Sequence, residues 1–182
     1  EMADNLALDL VNKKFLTKQL VLTINYDIEN LTNPDIFNKY FGEITLDSYG
    51  RKIPKHSHGT VNLEHYTSSS SIIMESFVNL FDKISNPILL IRKLNLTVSK
   101  LICEDKVQTN KKVEQINLFT DYKKKEIEEA KQKDDENKEK EIQKVILQIK
   151  NKYGKNAILK GMNLTEGATA IERNKQIGGH HE

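Results

Sequence analysis

The stretch QLVLTINYDI, residues 19–28, decides the fold of this chain, because large apolar side chains alternate in it with smaller or polar ones. The apolar positions are Leu20, Leu22, Ile24 and Tyr26. A two-residue period of this kind is typical of a β-strand that buries one face in a core. We therefore predict a strand here, with Val21, Thr23 and Asn25 on its other face.

Two more strands and two helices follow from similar patterns. Alternation predicts strands at residues 59–66 and 88–101. A helix is predicted at the start of the chain, where Ala3, Leu6, Ala7, Leu10 and Val11 share one face. Serines 68–71 can cap a second helix at residues 72–85, which the following Asn-Pro pair ends. This order predicts an α+β fold, in which helices cover one face of an antiparallel sheet.

The uncovered face of that sheet is expected to be polar and nearly free of acids. Its members would be Thr23, Asn25, Thr60, Asn62, Lys93, Asn95 and Thr97. Hydroxyl, amide and ammonium groups donate hydrogen bonds to phosphate oxygens, so this face suits a nucleic-acid backbone. The alternative is an ordinary solvated sheet face.

The middle of the chain is basic and irregular. Residues 51–100 carry seven Lys or Arg against three Asp or Glu, with three of the five histidines, which indicates an anionic partner. Residues 29–57 break the periodic pattern with Asn, Pro, Gly and basic residues. We predict a long loop there, with a short turn near residues 36–41.

Residue sets for catalysis or metal binding are missing at the required spacing. His56, His58 and His65 lack cysteine or carboxylate partners, and the basic residues beside the first two would repel a cation. No acidic pair at strand ends, phosphate loop or serine-nucleophile motif is present. We therefore expect no catalytic residue, metal or cofactor in this chain.

Composition predicts a cytoplasmic protein. The chain has 182 residues, of which 37% are hydrophobic and 30% charged, as in a soluble globular protein. Its longest aliphatic run, residues 88–91, is far shorter than a membrane span, and no signal peptide is apparent. The single Cys103 cannot form an internal disulfide. Because the first residue is Glu1 and not methionine, we expect the sequence to begin inside a longer protein.

The pentapeptide QINLF, residues 115–119, has two adjacent large apolar side chains in polar surroundings. An extended segment could place Leu118 and Phe119 in an apolar pocket while the Gln115 amide hydrogen-bonds at its edge. The pentapeptide resembles the peptide with which bacterial DNA-processing enzymes bind the sliding clamp. The expected clamp contacts are Gln115, Ile116, Asn117, Leu118 and Phe119. The alternative is a short strand or a plug under a loop.

A long helix is predicted at residues 121–153 and would end at Gly154. Its first part is highly charged and has no apolar stripe, which indicates an arm exposed to solvent. Its second part is amphipathic through Ile142, Val145, Ile146 and Ile149, so only this part can dock on a partner. Residues 154–182 form a tail that ends in a Gly-rich polar segment.

Three segments in this order resemble the C-terminal part of bacterial Y-family translesion DNA polymerases, in the UmuC (ImpB/MucB/SamB) branch. They are YGRKIPKHSHGT at residues 49–60, QINLF at 115–119 and KYGKNAILKGM at 152–162. The resemblance implies a little-finger DNA-binding domain at residues 1–106, a linker with the clamp-binding peptide at 107–120, a charged helical arm at 121–153 and a tail at 154–182. The family's catalytic core, with its magnesium-binding carboxylates, would lie upstream of this chain.

The resemblance further implies an error-prone polymerase that acts in DNA repair and the SOS response. The implied partners are primer-template DNA without sequence preference, the bacterial β sliding clamp and, through the tail, RecA or accessory subunits. We expect phosphate contacts from Arg51, Lys52, Lys55, His56, His58, Thr60, Arg92 and Lys93. The alternative is a non-catalytic adaptor or structural protein, whose charged arm links the small domain to another protein.

Overall fold

A computed structural model describes residues 1–106 and 122–176 of the chain. The helices are α1 (Met2–Asn12), α2 (Glu29–Thr32), α3 (Pro34–Phe37), α4 (Ser70–Ile84), α5 (Tyr122–Tyr153) and α6 (Ala170–Arg173). The strands are β1 (Phe15–Tyr26), β2 (Ile44–Leu46), β3 (Lys52–Pro54), β4 (Ser57–Thr67), β5 (Ile91–Ser99) and β6 (Ile102–Cys103). Two compact units can be distinguished, one of Thr17–Thr67 with Ser71–Leu101, the other of Glu1–Leu16, Ser68–Ser70 and the described residues from Ile102 onward.

The first unit is built on the strand that the opening stretch predicts. β1 lies between β4 and β5, and both pairs are antiparallel. Leu20, Leu22 and Ile24 are at most 2% exposed and form the centre of the core. β1 begins at Phe15, four residues earlier than predicted. The predicted α+β fold with an antiparallel sheet is confirmed.

Helix α4 covers the apolar face of this sheet. It buries Ile73, Phe77 and Leu80, whose spacing places them on one face of the helix. A Cβ added at Gly59 of β4 would lie 2.9 Å from Leu80 Cδ1 and 3.0 Å from Ile84 Cγ2. The missing side chain at residue 59 therefore allows α4 to lie close against β4.

The prediction of a long loop at residues 29–57, with one short turn near residues 36–41, is wrong in that the segment has regular structure. The segment contains α2, α3 and an antiparallel hairpin of β2 and β3. Its helices have only four residues each, too few for a helical period to show in the sequence. Asn33 caps α3 by accepting a hydrogen bond from Asp35 N–H at 3.0 Å, and Pro34 follows it at the first helical position.

In the second unit, α1 packs against α5. Lys160 Nζ lies 2.6 Å from Asp4 of α1, and Arg173 Nη2 lies 2.9 Å from Glu1. Helix α5 runs to Tyr153, and Gly154 follows it with a φ of +97°, as the predicted glycine cap requires.

The predicted docking face of α5 is partly wrong. Ile142 and Val145 are 61% and 53% exposed, whereas Gln143 between them is 3% exposed. Gln143 Nε2 donates hydrogen bonds to Ser70 Oγ at 2.7 Å and to the Ser68 carbonyl at 3.2 Å. The serine run therefore binds α5 through polar contacts, and a search for apolar periodicity cannot detect such a face.

Candidate nucleic-acid interface

The outward face of the sheet is defined by the pairing register of its three strands. Thr23 pairs with His58 on β4 and with Asn95 on β5, and Val21 pairs in the same way with Thr60 and Thr97. Since paired residues share a face and every second residue returns to it, one surface can be assigned. It consists of Gln19, Val21, Thr23, Asn25, His58, Thr60, Asn62, Lys93, Asn95, Thr97 and Ser99. We call these residues the polar sheet face.

The polar sheet face contains all seven residues that alternation assigned to it. It also includes Gln19, His58 and Ser99, which the same two-residue period would have identified had it been extended by one step. No Asp or Glu occurs among these eleven described positions. The eleven positions therefore present no carboxylate to an anionic ligand, and Glu64, the next alternate residue of β4, lies where the β1–β4 register shifts.

Side-chain hydrogen bonds connect neighbouring strands on this face. Asn62 Oδ1 accepts from Gln19 Nε2 at 3.0 Å and from Lys100 Nζ at 3.1 Å, so the Asn62 amide nitrogen is its remaining polar group. Thr23 Oγ1 and His58 Nδ1 are 3.0 Å apart. When Nδ1 of a neutral ring accepts this bond, the ring proton is on Nε2, which then donates outward.

The predicted phosphate contacts occupy different parts of the first unit. His58, Thr60 and Lys93 lie on the polar sheet face. Arg92 lies where the β1–β5 register shifts, between the pairs Asn25–Lys93 and Tyr26–Ile91. His56 is exposed and directly precedes β4.

The other three predicted contacts belong to the β2–β3 hairpin. Arg51 Nη2 lies 2.7 Å from Asp47, and Lys55 Nζ lies 2.6 Å from Glu43, so each charge has an acidic partner. Hydrogen bonds from the backbone and the side chain of Arg51 hold the pKa of Asp47 below its usual value. Lys52 is exposed on β3. The four-residue spacing of Asp47 and Arg51 is visible in the sequence, but Glu43 and Lys55 meet only because the hairpin closes.

In residues 1–106 and 122–176, no group of three or more His, Cys, Asp or Glu side chains is placed to hold a metal ion. None of the helices there is long and apolar enough to cross a membrane. The predicted clamp-binding pentapeptide, residues 115–119, lies outside the described residues.

Comparison with known proteins identifies a family. Residues 1–118 match the model of the impB/mucB/samB family C-terminal domain, which is well over half of the chain. No curated protein matches the chain. The matched residues include the whole four-stranded sheet, in which β6 also pairs with β1, together with α4 and the hairpin. The chain therefore belongs to the impB/mucB/samB family and carries the C-terminal domain of a UmuC-like Y-family DNA polymerase, a domain with a role related to DNA damage.

Proposed function

We propose that the polar sheet face binds the sugar-phosphate backbone of a primer-template duplex, as the DNA-gripping part of an error-prone translesion polymerase. The observation that carries this proposal is a row of hydrogen-bond donors, without carboxylates, across three paired strands. Strands lie about 4.8 Å apart and rise about 3.3 Å per residue, so His58 and Lys93, opposite Thr23 and Asn25 of β1, reach phosphates roughly 12 Å apart. Contacts to phosphates carry no sequence information, so the binding is independent of sequence.

The charge of this face limits its affinity. Lys93 is its only Lys or Arg, and Lys100 and Arg92 stand at its margins. The affinity for DNA falls with salt in proportion to the number of phosphates that are neutralised, so a few contacts give a shallow slope. A weak grip of this kind becomes effective when another site tethers the protein to the same DNA.

The pentapeptide at residues 115–119 supplies that tether in our proposal. Two features support binding to the bacterial β sliding clamp. The pentapeptide follows the basic α+β domain in the chain, and Leu118 and Phe119 suit an apolar pocket. The double variant Leu118→Ala/Phe119→Ala should abolish clamp binding in surface plasmon resonance and leave duplex affinity intact. Unchanged clamp binding would refute this part of the proposal. Contact of the tail with RecA or accessory subunits, action in the SOS response and a cytoplasmic location are further parts of it.

The duplex grip is tested by Lys93→Ala, with Lys83→Ala as the matched control. Both changes remove one exposed lysine, but Lys83 lies on α4, outside the polar sheet face. Fluorescence anisotropy with a labelled blunt duplex at low salt should show about a threefold to tenfold loss for Lys93→Ala and no loss for the control. Equal affinities of the two variants would contradict the proposal.

One observation favours the adaptor function as a second candidate. Ile142, Val145 and Tyr153 of α5 are each more than half exposed. They lie at helical spacing, so α5 presents apolar groups that a protein partner could cover. If the chain acts as an adaptor, Ile142→Lys/Val145→Lys should abolish its role in the DNA-damage response of cells, and Lys93→Ala should leave that role intact. If the chain grips DNA, Lys93→Ala should weaken the role and Ile142→Lys/Val145→Lys should leave it intact.

A further inference from the structure

One carboxylate fixes the turn at the tip of the β2–β3 hairpin. Asp47 Oδ1 accepts hydrogen bonds from the backbone N–H groups of Tyr49 and Arg51, both at 2.9 Å. Its Oδ2 accepts from Arg51 Nε at 2.8 Å. The backbone closes the same turn, because Asp47 N–H donates to the Arg51 carbonyl at 2.9 Å. Gly50 has a φ of +76°, which the turn requires and which glycine adopts without strain. The turn is therefore ordered before any ligand binds.

This ordered turn holds an aromatic ring in solvent. Tyr49 is 82% exposed, and the guanidinium of Arg51 lies 5.1 Å from the centre of its ring. The cation covers part of the ring, and the high exposure leaves the remaining surface open. Tyrosine and arginine dominate binding hot spots, because they offer a large contact area and lose little entropy when they are already fixed.

The charges around the turn favour an anionic ligand. The hairpin acids Asp47 and Glu43 are held by Arg51 and Lys55. Lys52 is exposed beside Arg51 and has no acidic partner among the described residues. Unpaired nucleobases stack on tyrosine rings and arginine planes, and their phosphates attract lysine. A base inside a duplex has no free face, so the ligand that fits both features is an unpaired nucleotide of a strand.

We infer that the turn at residues 47–51 is a stacking site for an unpaired base of single-stranded DNA. Tyr49 supplies the stacking ring, Arg51 holds that ring in place, and Lys52 attracts the adjoining phosphate. The inference rests on the proposed function, since it takes DNA as the ligand. The turn would bind an unpaired base of the DNA, whereas the polar sheet face would bind the backbone of the duplex.

The test compares a blunt duplex with the same duplex carrying a single-stranded template overhang, both fluorescein-labelled, against the whole 182-residue chain. The wild type should bind the overhang probe about tenfold more tightly, as one stacked base provides. Tyr49→Ala should remove this preference, and Tyr49→Phe should keep it. Tyr153→Ala is the matched control, because Tyr153 is 67% exposed with Lys152 Nζ 5.1 Å from its ring, but lies on α5.

A second readout uses the absence of tryptophan from the chain. Tyr49→Trp introduces the chain's single tryptophan into the turn, and its emission, excited at a wavelength that tyrosine does not absorb, should be quenched when a single-stranded oligonucleotide stacks on it. Tyr153→Trp should not be quenched. This signal reports the ring contact itself, and a merely structural effect at residue 49 would not produce it.

The outcomes separate this inference from the proposed function. If Tyr49→Ala leaves binding of both probes unchanged, or weakens both equally, the stacking site is refuted and the duplex grip stands. A turn that serves a protein partner would give the first of these results. If Lys93→Ala has no effect while Tyr49→Ala removes the overhang preference, the duplex grip is refuted and stacking stands. If the wild type binds neither probe, both are refuted.

Discussion

Replacing Asn30 with alanine should loosen the long segment at residues 29–57 from the start of β5. Asn30 is fully buried in the first unit. Its Nδ2 donates hydrogen bonds to the Asp27 carbonyl at 2.8 Å and to the Leu90 carbonyl at 2.9 Å. Its Oδ1 accepts from Leu90 N–H at 2.7 Å. One side chain thereby ties the end of β1, α2 and the residue before β5 to one another.

The expected loss in the free energy of unfolding follows from these three bonds. A hydrogen bond contributes about 1 kcal/mol net, which sets an upper value of about 3 kcal/mol. Both carbonyls keep a second donor, because Asn30 N–H bonds to Asp27 O and Asp27 N–H bonds to Leu90 O. Only Leu90 N–H loses its hydrogen-bond acceptor, which is Asn30 Oδ1. We therefore expect a loss of about 2–3 kcal/mol, or a Tm lowered by about 4–12 °C.

Urea denaturation followed by circular dichroism measures this loss. Asn38→Ala is the control, since Asn38 lies in the same segment but is exposed, and its replacement should change stability by less than about 0.5 kcal/mol. A loss for Asn30→Ala as small as that of the control would refute the reasoning.

Asn30→Asp offers a second check through pH. It retains the acceptor for Leu90 N–H but places a carboxyl group against two carbonyl oxygens. Burial and these oxygens should raise the pKa of the new carboxyl in the folded state. Stability should then be highest below the unfolded-state pKa of about 3.9 and fall as pH rises. A variant whose stability is independent of pH between acid and neutral conditions would contradict the buried environment.

Three further predictions concern the packing of the sheet, the docking of α5 and the hairpin turn. Gly59→Val should lower stability by about 1–3 kcal/mol in thermal denaturation, because its side chain would collide with Leu80 of α4. Gln143→Ala should cost about 1–2 kcal/mol through its two lost hydrogen bonds, and a neutral result would exclude a role of Gln143 in docking α5. The pKa of Asp47 is lowered in the folded state, so its bonds to Arg51 should hold at neutral pH and be lost as pH falls below about 4. Acid titration of Tyr49→Trp fluorescence should show this transition, and adding Asp47→Asn should remove it.

Several features of the interface could be predicted because they depend on neighbours in sequence. Alternation along β1, β4 and β5 assigned the two faces of the sheet, and antiparallel pairing then aligned them. The turn of the hairpin also has a local signal in Asp47 and Gly50, which are typical turn residues. That signal lay inside a segment without periodicity and therefore did not lead to a prediction of the hairpin.

Other features depend on contacts between distant residues. The charge of Lys55 looked available for phosphates, but the closed hairpin brings Glu43 beside it. The sequence pattern favoured Ile142, Val145, Ile146 and Ile149 as the docking residues of α5. Ile142 and Val145 are exposed and Ile146 and Ile149 half-buried, whereas Gln143 is buried and hydrogen-bonds to Ser70. The orientation of a helix follows the surfaces that it packs against, and beside Gln143 that surface consists of a serine hydroxyl and a serine carbonyl.

The sequence by itself determined the α+β class, the central strand and the composition of the polar sheet face, because a strand exposes every second residue whatever it packs against. The tertiary structure decided which basic residues keep a free charge, which face of α5 is buried, and that Tyr49 stands exposed at an ordered turn. The free charges and the buried face of α5 depend on groups that are apart in the chain and meet only after folding. The turn itself is local, but the exposure of Tyr49 depends on what the rest of the fold leaves uncovered.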